Sequence, residues 1–140
     1  MQNSMENKLT ESFQKQSIMA TFGASMTYVE AGKVIISAPI SDHVLQQHGF
    51  AHAALTFALG DSAAGYAALS VLPLDAEVLT AEMKINLLAP AAGERVEATG
   101  HVIKRGKRLV VVGANVVAVE GNNRRDIAVL QGTMVPVEPA

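Results

Sequence analysis

Asp61 is the first residue whose position suggests chemistry, because it is the only charged residue in the apolar, alanine-rich run 51–72. An ionised carboxylate in such a run is costly unless it is paired or reaches water, and burial raises its pKa towards values useful in catalysis. Two structural roles compete with a catalytic one. Gly60 could break the helix so that Asp61 caps a second segment, or Asp61 could make a buried hydrogen bond.

The start of the same run offers backbone donors. The first N–H groups of a helix have no partner within it and carry partial positive charge, so the Ala53 N–H is a candidate for binding a carbonyl oxygen and its oxyanion. The His52 side chain is a candidate ligand contact, with a helix cap as the alternative. Asp61 follows Ala53 by eight residues, about 12 Å along a helix. If both act on one carbonyl carbon, Asp61 must come from a second subunit.

The polar loop 41–49 precedes this helix and supplies a further candidate. The Gln46 carboxamide could orient a water or a substrate carbonyl, and the alternative is a solvated loop glutamine. The histidines His43, His48 and His52 lack the spacing of two metal ligands on one helical turn, so we predict no metal site.

A run of four cations surrounds one predicted hairpin turn: Lys104, Arg105, Lys107 and Arg108. Arginine and lysine pair with phosphate oxygens, so the turn could bind a phosphate-bearing ligand. A solvated hairpin that protects a sheet edge is the structural alternative.

Length and composition limit the remaining possibilities. The 140 residues suffice for one domain, and 49% of them are hydrophobic, enough for a buried core. The net charge of -2 argues against a nucleic-acid binder, and the absence of cysteine excludes disulfides and thiolate nucleophiles. The first residues are polar and no run suits a membrane helix, which predicts a soluble, cytoplasmic protein.

Hydrophobic periodicity predicts the elements that position these residues. An amphipathic helix is expected over 1–22, with Ser4 as its N-cap and Gly23 at its end. The run 51–72 is apolar around its whole circumference, which predicts a buried helix. Strands are predicted at 25–30, 33–40, 78–88, 95–104, 108–119 and 126–137. Only sheet is available to cover the long helix, so we expect an α+β fold whose antiparallel sheet curls around one central helix.

Taken in order, these segments resemble the hotdog-fold acyl-CoA thioesterases of the PaaI-like type, which are related to phenylacetic acid degradation. The family signature is an Asn or Gln, a His-Gly-Gly at the start of the central helix, and an Asp or Glu eight residues after the first of those glycines. The resemblance covers roughly residues 20–137. The matching segments are QQHGFAHAAL (46–55), LGDSA (59–63), MKINLLAP (83–90), KRGKR (104–108) and QGT (131–133).

The resemblance implies a homodimer, often a dimer of dimers, that hydrolyses an acyl-CoA thioester at two sites across its interface. Asp61 matches the catalytic carboxylate, as nucleophile or as general base for water. Ala53 matches the residue whose N–H binds the thioester oxygen, Gln46 the residue that orients water or carbonyl, and Thr80 an assisting Ser or Thr. Coenzyme A is part of the substrate, and no separate cofactor is expected.

Two departures from the family pattern affect rate and substrate more than fold. Ala53 and Ala54 replace Gly-Gly, and alanine would not readily adopt a positive φ. Gln46 is the less common choice at its position. A non-catalytic acyl-CoA sensor is the main alternative, although little chain precedes Gly23 to form a DNA-binding module. A hydratase or dehydratase of the same fold would resemble sequences with a His before Phe-Pro-Gly, which this chain lacks.

Overall fold

The computed structural model describes residues 2–138 of the chain. The helices are α1 (Gln2–Lys15), α2 (Ser17–Phe22) and α3 (Ala53–Leu69). The strands are β1 (Ser25–Glu30), β2 (Lys33–Pro39), β3 (Glu77–Leu87), β4 (Arg95–Arg105), β5 (Val110–Glu120) and β6 (Asn123–Val137). The predicted strands and the predicted central helix agree with these bounds to within three residues at each end.

All six strands form one antiparallel sheet in the order β1-β2-β4-β5-β6-β3. The meander β4-β5-β6 is sequential, whereas β3 crosses over to pair with the far side of β6. Strands β1 and β3 are therefore the two edges. Strand β2 ends at Pro39 but pairs on both sides, so the proline terminates the strand without marking an edge.

The central helix packs on one face of this sheet, against β2 to β6. The approach is closest at Gly100, where a Cβ atom would lie 2.2 Å from the carbonyl carbon of Ala63. At Gly60 a Cβ would lie 2.9 Å from the Leu130 side chain. The helix continues through Gly60, which excludes the alternative in which Gly60 breaks the helix and Asp61 caps a second segment. The expected α+β fold, a sheet around one central helix, is confirmed.

The single helix predicted over residues 1–22 is two helices, and Met1 lies outside the described residues. Helix α1 already includes Ser4, which is therefore not its N-cap. The break falls at Gln16, whose backbone is extended (φ -81°, ψ 96°), and the turn lets α2 bury Met19. Helix α2 ends at Gly23 in the left-handed conformation, as predicted.

Helix α1 is fixed beside the start of β3 by both apolar and polar contacts. Leu9 is fully buried, and Lys8 Nζ donates hydrogen bonds to the carbonyl oxygens of Leu74, at 2.6 Å, and Ala76. The same ammonium lies 3.8 Å from the Glu77 carboxylate.

Between residues 2 and 138, no helix is long and apolar enough to cross a membrane.

Candidate active site

Asp61 lies in the middle of α3, half-buried, with its carboxylate directed to the edge strand β3. Thr80 Oγ1 donates a 2.9 Å hydrogen bond to Asp61 Oδ1. Burial raises the pKa of the Asp61 carboxyl above its ordinary value, and the Thr80 hydrogen bond opposes that rise by stabilising the charged form. The structure thus brings together two of the predicted site residues around one partly desolvated carboxylate.

A β-bulge explains why Thr80 faces Asp61. Thr80 pairs with Met134 and Glu82 pairs with Thr133, so Ala81 is an extra residue in β3. Side chains alternate along a strand, and without this extra residue Thr80 and Glu82 would share a face. Instead Thr80 contacts the buried Met134 on the helix side, while Glu82 accepts a 2.6 Å hydrogen bond from Thr133 on the outer side.

A cavity of about 250 Å³ adjoins Asp61 and Thr80 and reaches α1. Its wall includes Tyr66, five residues beyond Asp61 on α3, whose hydroxyl accepts a 2.8 Å hydrogen bond from Gln16 Nε2. The Ser12 and Tyr66 hydroxyls are 3.0 Å apart. Neither the residue pattern nor the family resemblance points to Tyr66, Ser12 or Gln16 as site residues. The available signal was a hydroxyl-bearing aromatic in a largely apolar helix.

At the N-terminal end of α3, the backbone N–H of Ala53 is available to a ligand. Ala53 is the first residue of the helix, so no carbonyl of a preceding turn accepts its hydrogen bond. His52 caps the helix, but its Nδ1 accepts from the N–H of Ala54, at 2.8 Å, and not from that of Ala53. Because Nδ1 is the acceptor, the ring proton is on Nε2. Among residues 2–138, only glycines have positive φ, so the replacement of Gly-Gly by alanines is compatible with this geometry.

Gln46 is held by its own loop. Its Oε1 accepts hydrogen bonds from the backbone N–H groups of His48, at 2.5 Å, and Phe50, at 3.2 Å. Gly49, with φ of +86°, allows the tight turn between them. Both partners are donors, so Oε1 is occupied and the Nε2 amide group is the part that can donate to a ligand. Gln46, His52 and Ala53 line a common cavity of about 550 Å³.

The predicted residues therefore fall into two separate groups on one chain. Asp61 and Thr80 line the smaller cavity, whereas Gln46, His52 and Ala53 line the larger one. The larger cavity also includes the end of β3 and the segment that follows it, residues 87–91. The smaller cavity includes the start of β3, at Glu77 and Val78.

Two of the four cations of the hairpin line a common cavity. Arg105 and Lys107 line a cavity of about 610 Å³ with Asp75 and Glu138, and Lys104 and Arg108 lie outside that lining. All four are exposed, and within residues 2–138 none is within ion-pair distance of a carboxylate.

Strand register locates the hairpin relative to the carboxylate. Arg105 pairs with Val110, Val110 with Met134, and Met134 with Thr80, so these residues form one row across the sheet. Arg105 is thus three strands from Thr80, about 14 Å at the usual strand spacing. The cations lie at the Asp61 end of the sheet.

Over the described part of the chain, no three His, Asp or Glu side chains are grouped as metal ligands.

Comparison with known proteins identifies the family. The model of the thioesterase superfamily matches residues 48–124, more than half of the chain. A thioesterase family protein from Silicibacter pomeroyi of known structure is 38% identical, with a TM-score of 0.93, over 96% of this chain and 99% of that one. The 1,4-dihydroxy-2-naphthoyl-CoA hydrolase of Listeria monocytogenes is 29% identical over 64% of this chain and 73% of its own.

The fold alone is shared with a more distant protein. The Escherichia coli PaaI protein, from the phenylacetic acid degradation operon, superposes with a TM-score of 0.88 at 18% identity, over 100% of this chain and 98% of that one. The sheet around one central helix, the family match and the Asp61 carboxylate on that helix all point to the same family. The chain belongs to the thioesterase superfamily and is a thioesterase with the hotdog fold.

Proposed function

We propose that the protein hydrolyses an acyl-CoA thioester at composite sites shared by two subunits of a homodimer. In each site one subunit supplies Asp61 and Thr80, and the other supplies Gln46 and the Ala53 N–H. The observation that supports this arrangement most directly is that the two groups lie at opposite ends of strand β3.

Strand β3 is an open edge suited to pairing with a second copy. It has 11 residues and pairs among the described strands only with β6, which leaves one row of backbone donors and acceptors unpaired. Leu79 and Leu87 are 62% and 59% exposed along this edge. Antiparallel pairing of two β3 strands about a two-fold axis places the start of each beside the end of the other. The Asp61 cavity of one subunit then adjoins the Ala53 cavity of its partner.

The chemistry follows from these groups. The Ala53 N–H and the Gln46 amide donate to the thioester oxygen and stabilise the charge that develops there. The ionised Asp61 carboxylate either takes a proton from an attacking water or attacks the carbonyl carbon itself, giving an anhydride that water then cleaves. In both routes a new C–O bond forms, the C–S bond breaks, and coenzyme A leaves as a thiolate that regains a proton.

The remaining assignments concern the coenzyme A moiety. The nucleotide carries several negative charges, so we assign its phosphates to the cations Lys104, Arg105, Lys107 and Arg108. We assign His52, which lines the Ala53 cavity, as a further contact of the substrate. The Listeria relative acts on a coenzyme A ester, which supports the same kind of substrate here. Coenzyme A is part of the substrate, so the proposal requires no separate cofactor. Assembly of two such dimers into a dimer of dimers stays a prediction.

A panel of acyl-CoA esters with free-thiol detection tests the proposed activity. Asp61→Asn should lower turnover at least about 100-fold, the usual scale for a lost acid–base group, while the fold is retained. Asp126→Asn, which changes an exposed aspartate on β6, is the matched control and should retain activity. Tight binding of acyl-CoA without turnover would indicate a sensor, and near-normal turnover by Asp61→Asn would exclude the assigned carboxylate.

A further inference from the structure

The cavity beside Asp61 ends in a small network of hydroxyl groups that the reaction itself does not use. Gln16 Nε2 donates to the Tyr66 hydroxyl oxygen at 2.8 Å, and the Ser12 and Tyr66 hydroxyls share a hydrogen bond of 3.0 Å. All three residues line the cavity together with Asp61. The network therefore links α1, which is remote in sequence, to the wall of the candidate active site.

Counting hydrogens shows that the pair of hydroxyls has one donor to spare. Ser12 and Tyr66 each carry one hydroxyl hydrogen, and their mutual hydrogen bond uses only one of the two. The hydrogen bonds made by residues 2–138 include no acceptor for the other, whichever hydroxyl bears it. Gln16 uses one of its two amide hydrogens on the Tyr66 oxygen, so its second amide hydrogen is a further donor in the cavity lining. The polar end of the cavity is thus suited to a ligand atom that accepts a hydrogen bond.

Charge and volume limit what that ligand can be. Asp61 and Glu77 both line the cavity, so a carboxylate on the ligand would be repelled. A long alkyl chain would leave the spare hydroxyl hydrogen without an acceptor, which costs free energy. A benzene-sized ligand fits a cavity of about 150 Å³, and this one has about 250 Å³. The cavity therefore suits a short acyl group with a neutral oxygen substituent.

We infer that this cavity receives the acyl group, and that Tyr66, with Ser12 and Gln16, selects short acyl groups that bear a hydroxyl or carbonyl oxygen away from the thioester. The inference rests on the proposed function, because the acyl group reaches this cavity only if its thioester is attacked at Asp61. It assigns α1 a role in specificity and gives Tyr66 a function distinct from the attack on the thioester.

The test compares butyryl-CoA with 3-hydroxybutyryl-CoA and 4-hydroxybutyryl-CoA, which differ by one oxygen. For the parent protein, kcat/KM for the better hydroxylated ester should exceed that for butyryl-CoA about tenfold, the scale of one hydrogen bond. Tyr66→Phe should lower this ratio at least about fivefold. The matched control is Tyr28→Phe, which removes the hydroxyl of the chain's other tyrosine, an exposed residue on β1, and should leave the ratio unchanged.

Two outcomes would overturn the inference without affecting the proposed function. One is a parent ratio of one or less with Asp61-dependent hydrolysis of the esters. The other is an equal loss on hydroxylated and plain esters in Tyr66→Phe, which would indicate a structural role. If the chain hydrolyses no ester and Asp61→Asn changes nothing, the proposed function itself fails.

Gly65→Ala provides a second variant that should fold even if Tyr66→Phe does not. Gly65 lines the cavity between Asp61 and Leu69, and an added Cβ would meet only Met134, at an ordinary 3.6 Å. Alanine also favours the helix. The extra methyl should lower kcat/KM for the hydroxybutyryl esters several-fold relative to acetyl-CoA. An unchanged ratio would show that the acyl group does not occupy this cavity.

Discussion

The 2.9 Å hydrogen bond from Thr80 Oγ1 to Asp61 Oδ1 connects the edge strand β3 to the central helix at the one charged residue of that helix. It exists because the bulge at Ala81 turns Thr80 to the helix side of the sheet. The bond stabilises the carboxylate against the effect of burial. The net pKa of Asp61 is still raised, so its ionised form is a stronger base than an exposed aspartate.

Removing that hydrogen bond should move the acidic limb of the pH–rate profile. Thr80→Val keeps the shape of the side chain but removes the donor, so the Asp61 pKa should rise further. Both proposed routes need the ionised form, and kcat/KM should therefore fall off at a higher pH than in the parent. Thr80→Ser retains the hydroxyl and serves as the control. The measurement is kcat/KM between about pH 4 and 9, and an unmoved limb in Thr80→Val would contradict the assignment.

Asp61 should also reduce stability at neutral pH. Because its folded pKa is raised above the unfolded value, its favourable contribution is present below the unfolded pKa and is lost as pH rises through the folded pKa. Asp61→Asn has no charge to desolvate. The variant should therefore melt at a higher temperature than the parent at pH 7, and the difference should shrink in acid. Calorimetry across this pH range checks the sign, and a less stable variant at pH 7 would contradict it.

Shared sites predict complementation between two inactive proteins. When Asp61→Asn and Gln46→Ala proteins exchange subunits at equal amounts, half of the dimers are heterodimers, and each heterodimer regains one intact site. Activity should recover to about one quarter of the parent level. Mixing the double variant with the parent protein is the control: every heterodimer then has two damaged sites, so activity per parent chain should fall. No recovery after confirmed exchange would place each site within one subunit.

The cationic hairpin should affect binding of the nucleotide more than the chemical step. Exposed ion pairs are each worth about 0.2–1 kcal/mol, so Arg105→Ala with Lys107→Ala should raise KM several-fold with little change in kcat. The effect should shrink at high salt, because screening already weakens these contacts in the parent protein. An N-acetylcysteamine thioester lacks the nucleotide and should be hydrolysed as before.

A charge-matched control separates contact from net charge. Arg124→Ala with Arg125→Ala removes two exposed cations from the start of β6 and should leave KM unchanged. Lys104→Ala with Arg108→Ala shows whether the cations outside the cavity lining contribute. An equal loss on both kinds of thioester, or no loss on either, would show that the hairpin is only a solvated turn.

Local sequence was sufficient to locate the elements and the first site residues. The repeat of apolar residues predicts bounds for the strands and the central helix that agree with the structure to within three residues, because hydrophobic periodicity reflects which face of each element is buried. It also isolated Asp61 as the single charge in a buried helix. The backbone donor at Ala53 followed from the position of the helix start alone.

Tertiary structure decided which side chains meet. Thr80 entered by family resemblance, and its orientation depends on a bulge that nothing in the local alternation of β3 reveals. Gln16 and Ser12 contact Tyr66 across 50 and 54 residues of chain, and the contact of Gln16 accompanies the break in the helix predicted over 1–22. A periodic pattern records the burial of each residue but not its long-range partner. The strand order determined that Asp61 and Ala53 lie near opposite ends of the open edge β3.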